Sequence, residues 1–357
     1  MKKTVVLFFL ALTLAGFFLA YSYVVKAYRT FNEVGTFTET IHFEVPQGVG
    51  LKRIAYLLEK SGAITDRHIF QLGVRLSKKA GQLKSGEYEL PPYASPRMIM
   101  TILTEGQTIV RKITIPEGLT VFQIAELIDG AYGLTGNIET LPPEGSILPN
   151  TYHYTKGDTK QALLDRMSVA MNRTIQELWQ KRQANLPVKT PQEAVILASI
   201  VEKETGLKGE RAHVASVFVN RLRKGMRLQS DPTVIYALSD GTGVLKRQLW
   251  SNDLKVKHTH NTYVIKGLPP TPIANPGKAA LNAVLNPMDT NDLYFVADGT
   301  GGHVFAETFE EHNINVRRWR NIKKMKKADP RPPHIPPALD KDDEETDSES
   351  DTETEIN

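Results

Sequence analysis

The chain of 357 residues contains no cysteine. That excludes a disulfide framework and every thiolate metal site. Histidine offers no substitute: His258 and His260 stand two positions apart, but nothing nearby completes a ligand set at metal-site spacing. Neither a metal nor a cofactor is expected. A phosphate loop is missing as well, because the glycines at Gly299–Gly302 lack the Lys-Ser or Lys-Thr pair and the helix that must follow. No zinc-finger or RNP signature occurs, so nucleic acid is not expected as a partner. The remainder is an ordinary globular composition, 41 % hydrophobic and 24 % charged, long enough for two or three domains.

Charge is unevenly placed. Residues 340–357 hold ten acidic groups and one lysine, or −9, so the net +4 leaves about +13 on the rest. A basic body suits polyanions such as lipid headgroups or an anionic polymer. At the other end, Lys2 and Lys3 precede the uncharged run TVVLFFLALTLAGFFLAYSYVV, Thr4 to Val25. At about 1.5 Å per residue it is long enough for a bilayer core. The expectation is residues 1–3 in the cytoplasm, an N-in single-pass anchor over 4–25 in the cytoplasmic membrane, and a linker over 26–40. A cleaved signal peptide is the rival, since Ala20-Tyr21-Ser22 resembles a cleavage site. Either way the remaining chain faces outside the cytoplasm.

An internal echo follows. FEVPQGVGLKRIAYLLEKSGAI from Phe43 and ITIPEGLTVFQIAELIDGAYGL from Ile113 align at an offset of 70, pairing Pro46 with Pro116, Gly48 with Gly118 and Ile54 with Ile124. Each copy predicts an extended stretch, a Pro-x-Gly turn and a helix with apolar residues at i, i+3, i+4. A looser echo pairs SGEYEL from Ser85 with NTYHYT from Asn150. Residues 41–175 therefore read as a duplicated α+β module. Two functions stand open for it, a spacer or a glycan-binding unit.

From 176 to 325 helices dominate, predicted over Thr174–Ala184, Pro191–Thr205, Arg211–Lys224 and Pro232–Leu238. A hairpin is expected in LYFVADGTGGHVFAET. The acidic tail, 326–357, cannot bury a core and is expected to be disordered. The fold class is α+β.

One carboxyl stands out in this region. ILASIVEKETG, Ile196 to Gly206, runs from small and aliphatic residues straight into Glu-Lys-Glu. At 100° per residue, Glu202 shares a face with Val195, Ala198 and Ser199, while Glu204, on the opposite side, and Lys203 can reach water. A carboxyl against apolar surface keeps its proton near neutral pH, as a general acid must. A helix-end ion pair with Lys203 or Arg211 is the plainer alternative. Downstream, Asn220, Gln229 and Asn261 lie beside Tyr236 and Tyr263, side chains suited to sugar hydroxyls and ring stacking.

Taken together, IVEKET from Ile200, VASVFVNRL from Val214, RLQSDPTVIY from Arg227, NTY from Asn261, GLPPTPIANPG from Gly267 and EGSILPNTY from Glu144 resemble the endolytic murein transglycosylase family. Three positions depart from its usual pattern: ILPNTY carries Leu148 and Asn150, and His260 precedes NTY where tyrosine is usual. The resemblance implies a membrane anchor, a LysM-like region and a catalytic domain with one essential acid, which maps onto Glu202. It also implies cleavage of the MurNAc–GlcNAc bond of peptidoglycan with a 1,6-anhydro end. The substrate is nascent glycan, and peptidoglycan synthases are the expected company. Gln229, Asp231, Tyr236, Asn220, Asn261 and Tyr263 are the expected substrate contacts. Two alternatives are an inverting hydrolase that uses Asp231 to activate water and a wall-binding scaffold without catalysis. Asp231 is otherwise expected to shape its loop or to cap the helix near Pro232.

Overall fold

The structure, a computed structural model, describes residues 2–328, with side chains described at Leu10 and from Leu12 to Met325. The acidic run at 340–357 lies outside the described residues. The chain divides into two compact units, Met1–Asn291 and Asp292–Asn357, so the expected segment 176–325 is shared between them.

The first helix, α1, runs from Lys2 to Asn32. Its end is not the linker expected over 26–40, because Ala27 and Phe31 are buried in the core of the next module. Phe31 stacks 6.4 Å from Phe70 and lies so close to Gly73 that a Cβ there would collide with its ring. The anchor expected over 4–25 begins in side chains outside the described set. Among the described residues no helix is long and apolar enough to cross a membrane. The described part of α1 carries Lys26 and Arg29 near its end and packs against protein there.

The first module contains β1 (Ile41–Val45), α2 (Leu51–Lys60), α3 (Arg67–Leu76), β2 (Gly86–Leu90) and α4 (Pro96–Glu105). The strands are antiparallel, with Ile41 opposite Leu90 and Val45 opposite Gly86. Alternation turns Phe43, Val45, Tyr88 and Leu90 inward, where they meet Ile54, Leu58, Phe70 and Leu103. Each such side chain contributes about 1.5–3 kcal/mol by leaving water.

The second module contains β3 (Arg111–Thr114), α5 (Val121–Asp129), β4 (Thr151–Tyr154) and α6 (Lys160–Gln180). Its strands are again antiparallel, Arg111 opposite Tyr154 and Thr114 opposite Thr151. Ile115, Ile124, Ile128, Ile147, Leu163 and Met167 form its core. The Pro-x-Gly turns predicted in both modules are present, with Gly48 at φ 73° and Gly118 at φ 78°, which favours glycine. The helix expected at Thr174–Ala184 is the last part of α6, which crosses the expected boundary at 175 without a break. Lys156 with Glu44 (2.7 Å) and Arg111 with Glu87 (2.8 Å) join the two modules.

Beyond Thr190 come α7 (Pro191–Glu204), α8 (Arg211–Arg223), α9 (Asp231–Leu238), a 3₁₀ turn (Asp253–Lys255) and α10 (Lys278–Leu285). Thr190 caps α7 by accepting from Glu193 N, and Pro191 occupies the first turn, where its missing N–H is no loss. All eight residues from Ala194 to Val201 are buried. A helix apolar on every side belongs at a centre, and α6, α8, α9 and α10 all pack on α7.

The second unit begins with β5 (Tyr294–Ala297) and β6 (His303–Ala306), the expected antiparallel hairpin, and continues into α11 (Phe309–Ala328). Asp298 closes the turn by accepting from Thr300 N at 2.7 Å and Gly302 N at 3.1 Å.

Candidate active site

The centre of α7 sets the site. Ser199 and Glu202 are three residues apart and therefore share one face of the helix. Both receive backbone amides from the loop that precedes α10. Ile273 N donates to Ser199 Oγ at 3.0 Å, and Gly277 N donates to Glu202 Oε2 at 2.8 Å. The loop is held from its other side by Asn275. Its Nδ2 reaches Leu119 O at 3.0 Å and Glu144 Oε1 at 2.8 Å, its Oδ1 accepts from Ile147 N at 2.9 Å, and its own N and O bond Leu119 and Gly118. The buried loop thus has its polar groups satisfied, as burial demands.

Glu202 itself is dry, with 4 % of its side-chain surface exposed. Arg211, from the first turn of α8, donates through Nη2 to Glu202 Oε1 at 3.0 Å. The same nitrogen lies 2.9 Å from Glu117 Oε2, on the Pro116–Gly118 turn of the second module. Arg211 Nε is buried without a partner. Burial pushes the Glu202 carboxyl above the usual carboxylate range; the Glu117 charge pushes the same way, while the Gly277 amide and Arg211 pull against both. The expected ion pair with Arg211 and the expected dry carboxyl are therefore both present in one group.

Glu144 is a second perturbed acid. It accepts from Val121 N at the start of α5, from Asn275 and from the Tyr236 hydroxyl, yet burial raises its pKa to about 7. Glu204 does not reach water freely as expected: it accepts from Ser230 Oγ at 2.5 Å, which ties the end of α7 to the start of α9. Lys203 Nζ crosses to Gly118 O at 3.1 Å.

The expected substrate contacts separate into two groups. Gln229 is exposed and held at φ 53°, an uncommon conformation for a side-chain-bearing residue. Asp231 is exposed and accepts from the Tyr263 hydroxyl at 2.6 Å, which with burial raises the tyrosine pKa. Asp231 is not a cap; it is the first residue of α9, and Ser230 holds the cap position. Tyr236 lies beside the His260 ring at 5.1 Å. Asn220 and Asn261 are different. Asn220 Nδ2 donates to Thr290 O at 2.7 Å. Asn261 is fully buried, donates to Leu254 O and Val256 O, and accepts from Tyr263 N. The Asn261 side-chain amide thus anchors its own loop. His260 pairs with Thr271 Oγ1 at 2.7 Å, and among the described residues no group of metal-ligating side chains forms.

Arg211, Glu117, Glu144, Asn275 and Gly277 were not among the expected site residues. One signal for Glu117 lies in the internal echo, which sets it opposite Gln47: only the second copy has an acid at the apex of its turn.

The arrangement is a buried carboxyl held by one guanidinium and one backbone amide on a mixed α+β scaffold. The chain belongs to the YceG-like family, whose pattern it matches over residues 43–318. It is 30 % identical over 318 residues to the endolytic murein transglycosylase of Bacillus subtilis, covering 80 % of this chain and 87 % of that one. It is 29 % identical over 362 residues to the endolytic murein transglycosylase of Streptococcus pneumoniae strain D39, covering 89 % of this chain and 65 % of that one. Against the crystal structure of a YceG-like protein from Listeria monocytogenes the TM-score is 0.47, with 32 % identity over 78 % of this chain and 99 % of that one.

Proposed function

We propose that the chain is an endolytic murein transglycosylase in which Glu202 is the proton carrier. The observation that carries this reading is the buried carboxyl of Glu202, whose pKa burial raises, in a chain whose relatives bear that name. Glycosidases ordinarily use two carboxylates about one bond. Here one carboxyl works twice. Glu202 gives its proton to the glycosidic oxygen, and the bond from MurNAc C1 to GlcNAc O4 breaks. Positive charge develops at C1. The carboxylate then takes the proton of the MurNAc 6-hydroxyl, and O6 closes on C1 to give a 1,6-anhydro end. No water enters. The Gly277 amide and Arg211 stabilise the carboxylate between the two transfers, and burial restores its affinity for a proton.

Around this centre, Gln229, Asp231, Tyr236 and Tyr263 are the proposed sugar contacts, all on or beside α9. The two modules are proposed to hold the glycan strand. In support, a cavity of about 460 Å³ lies where they meet, lined by Gln47, Tyr132, Thr135 and Lys156, with Tyr132 exposed for ring stacking. Nascent strands are the proposed substrate and peptidoglycan synthases the proposed company.

Product analysis tests the reaction. Purified peptidoglycan is digested with wild type or Glu202→Gln, and new chain ends are identified by mass spectrometry. Anhydro-MurNAc ends from wild type, reduced at least about a hundredfold in the variant, are expected. Reducing ends instead would make the protein a hydrolase and direct attention to Asp231. No ends from either protein, with glycan still bound, would leave a binding scaffold.

A further inference from the structure

We propose that Glu117 is a positioning residue of the Glu202 site: from the turn of the second module it holds Arg211 between two carboxylates, so that the guanidinium cannot serve Glu202 alone. The proposal rests on Glu202 as proton carrier and makes the second module part of the active site.

Geometry carries it. One nitrogen, Arg211 Nη2, stands 2.9 Å from Glu117 Oε2 and 3.0 Å from Glu202 Oε1. The Glu117 carboxyl also lies over the Cα of Gly277, so that a Cβ at that position would collide with its Oε1. Gly277 is the residue whose amide binds Glu202. Glu117 therefore touches both groups that hold the Glu202 carboxyl.

The turn itself does not need an acid. Pro46-Gln47-Gly48 makes the corresponding turn of the first module with a neutral residue, and Gln47 bonds Gly157 O instead. The backbone at Gly118 is fixed by Asn275 O and by Lys203, without the Glu117 side chain. Glu117 remains 41 % exposed, so packing does not require it either.

Charge explains what it does. An arginine facing one buried carboxyl favours the ionised form, which is useless as an acid. With Glu117 present, the cluster is neutral when Arg211 pairs with Glu117 and Glu202 keeps its proton. The other charged groups on the surrounding elements are Glu193, bound by Lys189 N, Lys203, bound to Gly118, and Glu204, bound by Ser230, on α7; Glu210, His213, Arg221 and Arg223 along α8; Asp231 on α9, bound by Tyr263; and Lys278 on α10. Among charged groups, Glu117 and Arg211 are the ones that move the Glu202 proton affinity, in opposite directions.

The test reads the proton directly. In the full chain with ¹³C-labelled glutamate carboxyls, the Glu202 resonance is assigned by its loss in Glu202→Gln and titrated in wild type, Glu117→Gln and Glu117→Asp. Glu117→Gln is expected to lower the Glu202 midpoint by about one pH unit, and the alkaline limb of kcat/KM for anhydro-end formation by the same amount. Glu117→Asp keeps the charge and is expected to stay within about 0.3 unit of wild type. An unchanged midpoint in Glu117→Gln overturns the proposal. So does an equal shift in both variants, which would assign the effect to turn geometry rather than charge. If the midpoint moves as expected but wild type forms no anhydro ends, the assigned reaction fails while the role of Glu117 stands.

Discussion

Burial raises the pKa of two carboxyls in this protein, Glu202 and Glu144, and each makes the molecule sensitive to pH. With Glu202 as the proposed acid, activity is expected to fall as pH rises through its raised pKa. Glu144 is raised from 4.5 to about 7 by burial. Its unfolded form loses the proton near the lower value and its folded form near the higher. The folded state therefore binds more protons across that interval, and stability falls as pH rises from about 4.5 to about 7, by roughly 3 kcal/mol. Glu144→Gln removes this titration while keeping an oxygen for Val121 N and Asn275. Urea unfolding at pH 5 and pH 7.5 is expected to show that loss in wild type and to show it reduced by roughly 3 kcal/mol in the variant. An identical pH dependence in both would place the perturbation elsewhere.

At the scale of elements, the site is an arrangement of one helix and one loop. α7 presents Ser199 and Glu202 on one face, and the segment from Ile273 to Gly277 lays an amide on each. Ser199→Ala leaves the buried Ile273 amide without its acceptor. A loss of about 1–3 kcal/mol in unfolding free energy is expected. Because Gly277 is four residues further along the same loop, kcat is expected to fall several-fold with KM nearly unchanged. A variant that loses stability but keeps full kcat would show that the loop is held well enough by Asn275 alone. α7, α8 and the α9 start were legible in the sequence because a central helix is apolar throughout and Asp-Pro punctuates a boundary, whereas α10 was not among the expected helices. The end of α6 was not legible, since nothing local in KQALLDRMSVAMNRTIQELWQ marks the passage from one packing partner to the next.

At the scale of the whole first unit, the modules meet differently on their two sides. The first joins the second through Lys156 and Arg111 with Glu44 and Glu87, pairs that salt weakens where they are exposed. The second is joined to the α7 region by buried hydrogen bonds at Leu119, Glu144 and Asn275. Strand binding and chemistry should accordingly separate under mutation. Tyr132→Ala, at the cavity between the modules, is expected to raise KM for polymeric peptidoglycan several-fold and leave kcat within about twofold, since it removes a ring face worth roughly 1 kcal/mol or less. An equal loss in kcat would tie that cavity to the chemistry.

The sequence by itself determined the α+β class, the two Pro-x-Gly turns, the hairpin and the apolar helix that carries Glu202 in its last turn. These follow from periodicity, from glycine at positive φ and from a carboxyl at the end of an apolar helix, all of which are local properties. Only tertiary structure decided what surrounds that carboxyl. Arg211, nine residues from Glu202, was an ion-pair candidate in the sequence, but Gly277 at 75 residues and Glu117 at 85 were not. Such partners are chosen by how loops cross in space, which no local pattern encodes. The same crossing buries Asn261 and turns its amide onto the backbone of its own loop, because burial is invisible in its own dipeptide.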